Sequence, residues 1–212
     1  LGKFQGLEFR DVSFCYPGAD CPVLEHVSFV TRPGETTAII GSTGSGKSTL
    51  INLLPRIYDV TEGQVLMNGI DVREVSQAEL RSHLGVVPQK ALLFDGTVAS
   101  NLRYGKADAT EEEMWHALEV AQGKDFVSGM PMGLESSISQ GGTNVSGGQR
   151  QRLAIARAII RKPDVYIFDD SFSALDFKTD AKLRQALSRE TREAAVLIVA
   201  QRVTTVLGAD RI

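Results

Sequence analysis

One eight-residue stretch limits the folds open to this chain more than any other. Gly41-Ser42-Thr43-Gly44-Ser45-Gly46-Lys47-Ser48 fits the spacing G-x-x-x-x-G-K-[ST] and directly follows the run Thr36-Thr37-Ala38-Ile39-Ile40. A continuous β-branched and apolar run of that length suits a parallel strand buried on both faces. A glycine-rich turn between such a strand and a helix aims successive backbone N–H groups at phosphate oxygens. The helix, expected to begin near Gly46, adds the positive end of its dipole. Lys47 is expected to reach the β- and γ-phosphates, and the Ser48 hydroxyl can ligate Mg²⁺. We take the binding stretch to run from Gly41 through Thr49. A Gly/Ser-rich surface turn is the competing reading, and the register of strand, motif and helix speaks against it.

Two more apolar runs share the character of the first, Val165-Tyr166-Ile167-Phe168 and Val196-Leu197-Ile198-Val199. Helical patterns separate these runs, at Lys47–Leu54, Glu111–Ala121, Gly148–Arg161 and Lys178–Arg189. Buried strands alternating with helices predict an α/β core around a parallel sheet. The first third reads instead as strands and turns: Leu7 to Val12 and Val23 to Phe29 alternate at period two, with Tyr16-Pro17-Gly18 as a turn. Residues of roughly 90–160 carry helices without comparable strands, which predicts a helical lobe inserted into the core. Asp169, where the second apolar run leaves the core, is the expected carboxylate partner of the phosphate loop and would hold Mg²⁺ through water. Nothing resembles the N-K-x-D pattern that reads guanine, which favours ATP over GTP.

Charge excludes some partners. Lys+Arg 23 against Asp+Glu 26 leaves a net charge of -3, so no overall basic field draws the chain to nucleic acid. No apolar run approaches the ~18 residues of a membrane span, so this chain itself is not expected to cross a membrane. Cys15 and Cys21 lie six apart in an apparent hairpin, where a disulfide is conceivable and two free thiols are the favoured reading. The chain begins without Met, and Ala209-Asp210-Arg211-Ile212 reads as the start of a further strand, so truncation is expected there.

Val145-Ser146-Gly147-Gly148-Gln149, leading into a helix about twenty residues before Asp169, resembles the signature motif of ATP-binding-cassette (ABC) ATPases. The resemblance covers essentially the whole chain. It implies a RecA-like P-loop NTPase core, an N-terminal antiparallel β-subdomain and an inserted α-helical subdomain. In these terms one nucleotide-binding domain spans residues 1–212, with about 1–89 and 162–212 forming the β-subdomain and core and about 90–161 the signature subdomain. Tyr16 sits where the family stacks an aromatic on adenine, and Gln89 resembles the Q-loop glutamine beside the metal. Ser173-Ala174-Leu175-Asp176 resembles the D-loop, and Leu93 to Leu102 is similar to the region after the Q-loop in exporters. Ser146, Gly147, Gly148 and Gln149 would bind the ATP held by the opposite subunit of a head-to-tail dimer. The implied partners are a second nucleotide-binding domain and a transmembrane domain, at the cytoplasmic face of the cell membrane. For Arg150, Arg152, Arg157 and Arg161 we expect a solvated helix face with some carboxylate pairing, in preference to a nucleic-acid patch.

Three positions depart from the family pattern. Asp170 stands where the catalytic Glu is usual, Gln201 where the switch His precedes an arginine (here Arg202), and Gln140-Gly141-Gly142 where Glu-Arg-Gly is usual. Asp is one methylene shorter than Glu, and Gln can hydrogen-bond but carries no charge. With Ser146 intact, this combination resembles the degenerate subunit of a heterodimeric exporter, its own site slow and its signature completing the partner's. A slow homodimer, a nucleotide-gated regulatory module with negligible turnover and a soluble non-transport ABC ATPase remain as alternatives.

Overall fold

A computed structural model describes every residue of the chain except Arg202, and Thr205 by its backbone alone. The strands are β1 (Leu7–Phe14), β2 (Leu24–Thr31), β3 (Thr36–Ile40), β4 (Glu62–Met67), β5 (Ile70–Asp71), β6 (Leu84–Val87), β7 (Gly96–Thr97), β8 (Ser137–Ile138), β9 (Val165–Asp169) and β10 (Ala195–Ala200). The helices are α1 (Lys47–Leu53), α2 (Gln77–Ser82), α3 (Val98–Arg103), α4 (Glu111–Val120), α5 (Lys124–Ser128), α6 (Gly147–Ile160) and α7 (Phe177–Glu190). They group into two compact units, one of Leu1–Leu84, Asp164–Asp169 and Thr191–Ile212, the other of Gly85–Pro163 and Asp170–Glu190. No helix among the described residues is long and apolar enough to cross a membrane.

The first unit holds an antiparallel sheet of order β2-β1-β4-β5 and the parallel strands β3, β10 and β9, in that order. The three apolar runs of the sequence are these parallel strands. All of β10 and the first four residues of β9 are buried. Leu7, Phe9, Val12 and Phe14 of β1 share one core with Leu50, Leu53 and Leu54, with Val165 and Ile167 of β9 and with Leu197 and Val199 of β10. In β1 the apolar residues keep period-two spacing on either side of a register shift between Phe9 and Val12, which lets both halves turn the same face to the core. Register sets the functional end. Val199 lies between Asp169 of β9 and Ile39 of β3, so the acid and the start of the Gly41 loop leave the sheet at one level. That is the carboxyl end of a parallel sheet, where ligands of open α/β folds bind. On the edge of β3 away from β10, Arg211 makes an isolated parallel bridge to Thr37.

The second unit is mostly helical, with the two-residue strands β7 and β8 paired antiparallel. Helix α6 buries Gln151, Leu153 to Ala156 and Ala158 to Ile160. One expectation is corrected here. Arg150, Arg152 and Arg157 do not form a solvated, carboxylate-paired face. Arg150 donates to Gly142 O (3.2 Å) and Val145 O (3.4 Å), and Arg152 to Gln122 O (2.9 Å) with its guanidinium 4.8 Å over the Phe126 ring. Arg157 donates to Leu92 O at 2.9 Å and lies 5.8 Å over Phe94. Backbone carbonyls and ring faces accept these cations, and desolvation holds Arg152 and Arg157 below the usual arginine range. Arg161 is exposed, as expected for a solvated position.

Candidate functional site

In the first unit the phosphate loop opens α1 without a side-chain cap. Gly46 is the residue before the helix, at φ 89° and ψ 8°, a left-handed conformation suited to glycine. A Cβ there would also meet Leu24 Cδ2 and Val23 Cγ1 at 3.0 Å, so the loop is packed against the start of β2. Gly41 to Ser45 are exposed. The Lys47 ammonium folds back over the loop and donates to Gly41 O and Ser42 O, both at 2.6 Å, and to Ser45 Oγ at 3.3 Å. A cation parked on carbonyl oxygens at a mouth of glycine amides is positioned for an anionic ligand. Ser48 Oγ donates to Asp169 Oδ2 at 3.3 Å, so the loop hydroxyl and the strand-end carboxylate meet.

Tyr16 lies half-buried in the same unit. Its Oη is 2.7 Å from Oγ1 of the buried Thr49, and its ring stands edge-on to Phe14 (4.9 Å) and Tyr58 (5.3 Å). The hydroxyl of Thr49 is therefore committed to fixing Tyr16. Gln201 directly follows β10 and is exposed, while Arg202 lies outside the described residues.

The second unit carries the other named residues. Gln89 Nε2 donates to Asp170 Oδ2 at 3.3 Å, which joins the Q-loop position to the position after Asp169. Asp170 has φ 48°, a left-handed backbone that Asp adopts more readily than longer acids. The buried Ser171 next to it donates to Val87 O at 2.6 Å, anchoring the turn. Ser146 caps α6 in a reciprocal box: its Oγ accepts from Gln149 N (3.1 Å), and Gln149 Oε1 accepts from Ser146 N (3.0 Å). Gly147 and Gly148 form the first turn, where a Cβ on Gly148 would meet Ala174 O at 3.1 Å. Gln140 is exposed at the start of a short 3₁₀ turn.

Sequence reasoning passed over one residue here. Gln151 is 5% exposed, donates to Ser173 Oγ (3.1 Å) and accepts from Ala174 N (3.0 Å). It ties the helix of Ser146 to the segment Ser173–Asp176. A polar residue on the apolar face of α6 was its only signal. Asp176 in turn caps α7, accepting from Thr179 N and Thr179 Oγ1, and the Thr179 hydroxyl is the main reason its carboxyl lies below the usual range.

A family model described as ABC transporter matches residues 24–173. The chain belongs to the ABC transporter family. An uncharacterised ABC transporter ATP-binding protein of Mycobacterium bovis is 56% identical over 203 residues, covering 94% of this chain and 34% of that relative. A β-(1→2)glucan export ATP-binding/permease protein of Rhodopseudomonas palustris is 46% identical over 211 residues, 99% of this chain and 35% of its own length. An ATP-dependent lipid A-core flippase of Chromobacterium violaceum is 41% identical over 206 residues, 97% and 35% respectively. Among solved structures, a bacterial Atm1-family ABC exporter with ATP bound superposes with a TM-score of 0.93 at 34% identity, over 99% of this chain and 36% of that one. The ABC chain thus has the P-loop NTPase fold of an exporter's nucleotide-binding domain. It spans about a third of the length of the relatives it matches.

Proposed function

We propose that this chain is the ATP-binding and ATP-hydrolysing domain of an ABC exporter, working at the cytoplasmic face of a membrane with a transmembrane domain and a second, non-identical nucleotide-binding domain. The observation that carries the reading is the 3.3 Å contact between Ser48 Oγ and Asp169 Oδ2, at the carboxyl end of the parallel sheet beside the Gly41–Lys47 loop. Both units belong to one functional domain in this reading.

Each residue then has a defined task. Amides of Gly41 to Ser48 and the Lys47 ammonium hold the β- and γ-phosphates, and the Tyr16 ring stacks on the base. Hydroxyl and carboxylate oxygens are the hard donors that Mg²⁺ prefers, so Ser48 and Asp169 fit that ion, and the family resemblance adds the amide oxygen of Gln89 as a further ligand. When bound, Mg²⁺ supplies neutralisation of phosphate charge. Asp170 is the base that orients water, and Gln201 donates a hydrogen bond where a histidine would add charge. Asp170 falls short of a glutamate by one C–C bond, about 1.5 Å. A misplacement of about 1 Å can lower a rate ~10²-fold. Ser146, with the amides of Gly147 and Gly148, presents a second anion site to ATP bound by the partner, and Gln149 holds Ser146 in place through the reciprocal cap. The chain's own site is therefore slow, and its signature serves the other site.

Single-turnover hydrolysis with the double substitution Asp170→Glu, Gln201→His tests this. Turnover should rise by about one to two orders of magnitude as reach and charge return. Unchanged, negligible turnover in the double variant would favour a second reading that the same two residues support, a regulatory module that binds nucleotide without consuming it.

A further inference from the structure

The β1–β2 loop carries two thiols that the nucleotide chemistry does not use. Cys15 directly precedes Tyr16, and Cys21 lies two residues before Val23, whose side chain and carbonyl abut the phosphate loop at Gly46. The Cys15 thiol is half-buried and faces three carbonyl oxygens of its own loop: Ala19 O at 3.2 Å, Cys21 O at 3.4 Å and Tyr16 O at 3.6 Å. Cys21 is exposed. Covalent geometry keeps a residue's Cβ within about 3.6 Å of its own carbonyl oxygen, so Cys21 Cβ lies no more than about 7 Å from the Cys15 sulfur. A disulfide, with its S–S bond of about 2.05 Å, brings each sulfur to about 3 Å from the other residue's Cβ. The remaining distance falls on Pro17 to Cys21, all exposed and turned by a single backbone bond from Ala19 N to Tyr16 O (3.0 Å). Flanking strand positions stay paired through Val23 N to Phe14 O at 2.8 Å.

We propose that Cys15 and Cys21 form a reversible disulfide that lowers affinity for ATP. The effect on affinity rests on the reading of Tyr16 as the adenine platform; the disulfide itself does not. The exposed Cys21 thiolate attacks a disulfide oxidant and releases one thiolate. Cys15 Sγ then displaces the second thiolate from Cys21, so two protein thiols are oxidised and one oxidant disulfide is reduced to two thiols. Forming the bond removes the Cys15 S–H from the carbonyls of Tyr16, Ala19 and Cys21 and draws the loop towards Cys21. Tyr16 is the next residue. Its seat between Phe14, Tyr58 and Thr49 depends on the backbone that moves, and Val23 carries the same strain to Gly46. Loss of base stacking alone is expected to weaken binding by about fivefold or more.

The test treats the chain with oxidised glutathione, maps its peptides by mass, and titrates Mg-ATP by calorimetry before oxidation, after it and after re-reduction. Expected are a linked Cys15–Cys21 peptide pair, affinity at least about fivefold lower when oxidised, and full recovery with a dithiol. Cys15→Ser and Cys21→Ser should each bind ATP as the reduced parent does and stay insensitive to loss through the internal link. Glutathione adducts without the internal link would overturn the proposal, as would a complete link with unchanged affinity. A reduced chain that fails to bind Mg-ATP would overturn the nucleotide reading and the affinity effect together, while the peptide map still decides the linkage.

Discussion

Ser146 holds two jobs, and they can be separated by substitution. In the fold it caps α6, accepting from Gln149 N at 3.1 Å while its own N–H is taken by Gln149 Oε1 at 3.0 Å. In the proposed function its hydroxyl donates to the γ-phosphate bound by the partner. Ser146→Ala removes both. Loss of an N-cap of this kind costs about 1 kcal/mol. For a chain of this size that lowers Tm by about 2–4 °C. Ser146→Asn keeps a capping acceptor of equal rank and should hold Tm within about 1 °C of the parent. It lacks a hydroxyl at the place where phosphate must dock. Removing one such preorganised donor typically costs ~10²–10³-fold in rate. Calorimetric unfolding and amide exchange at Gln149 N read the first job; steady-state hydrolysis by the assembled pair reads the second. Both variants should lose hydrolysis, and only Ser146→Ala should lose stability and Gln149 protection. Equal Tm values for Ser146→Ala and the parent would refute the capping argument, and full hydrolysis in both variants would refute the phosphate role.

Other expectations need less development. Lys47→Ala should abolish most of the rise in Tm that Mg-ATP causes, because binding to the native state alone raises Tm by mass action; differential scanning in the presence of nucleotide checks it. Tyr16→Phe keeps the ring and loses only the contact with Thr49, so ATP affinity should change little, whereas Tyr16→Ala should weaken it about fivefold or more; a reversed order in titration would remove the stacking role. Gln151→Leu leaves Ser173 Oγ and Ala174 N without their partner and should destabilise by about 1–3 kcal/mol in chemical denaturation. His26 titrates above the ordinary imidazole range because Asp11 Oδ1, 2.8 Å from Nδ1, bonds its charged form. The stabilisation is present below the unfolded pKa and is lost as pH rises through the folded one, so an NMR titration of Asp11→Asn should show the His26 midpoint fall.

The parallel core was readable because β9 and β10 are buried on both faces, which forces unbroken apolar runs, and β3 keeps the same character although only Thr37 and Ala38 at its centre are buried. Helix α6 was equally plain, since its burial repeats at helical spacing. The pairing of Gly96–Thr97 with Ser137–Ile138 was not readable, because two residues carry no periodicity and the partners lie far apart in sequence. The arginines of α6 misled for a related reason. A cation on a helix surface looks solvated until the neighbouring turns arrive, and here those turns present carbonyls at Gly142, Gln122 and Leu92 and the rings of Phe126 and Phe94.

For the candidate site, residue types and order were legible and geometry was not. The motifs gave Lys47, Ser48, Asp169, Gln89, Asp170 and Ser146, yet nothing in their spelling announces the left-handed backbone of Asp170 or the clamp of Gln151 on Ser173 and Ala174. The two glycine-rich helix starts show what spelling leaves out. Gly46 opens α1 in a left-handed conformation with no side chain to cap the first turn, so those amides are left to the loop and its ligand. Ser146 opens α6 from an extended conformation with its oxygen already engaged by Gln149 N, so that helix start is satisfied by its own chain. A start that needs an anion to complete it suits a nucleotide held through the cycle. A start that is complete by itself can meet and release an anion held by another subunit, without its helix fraying each time.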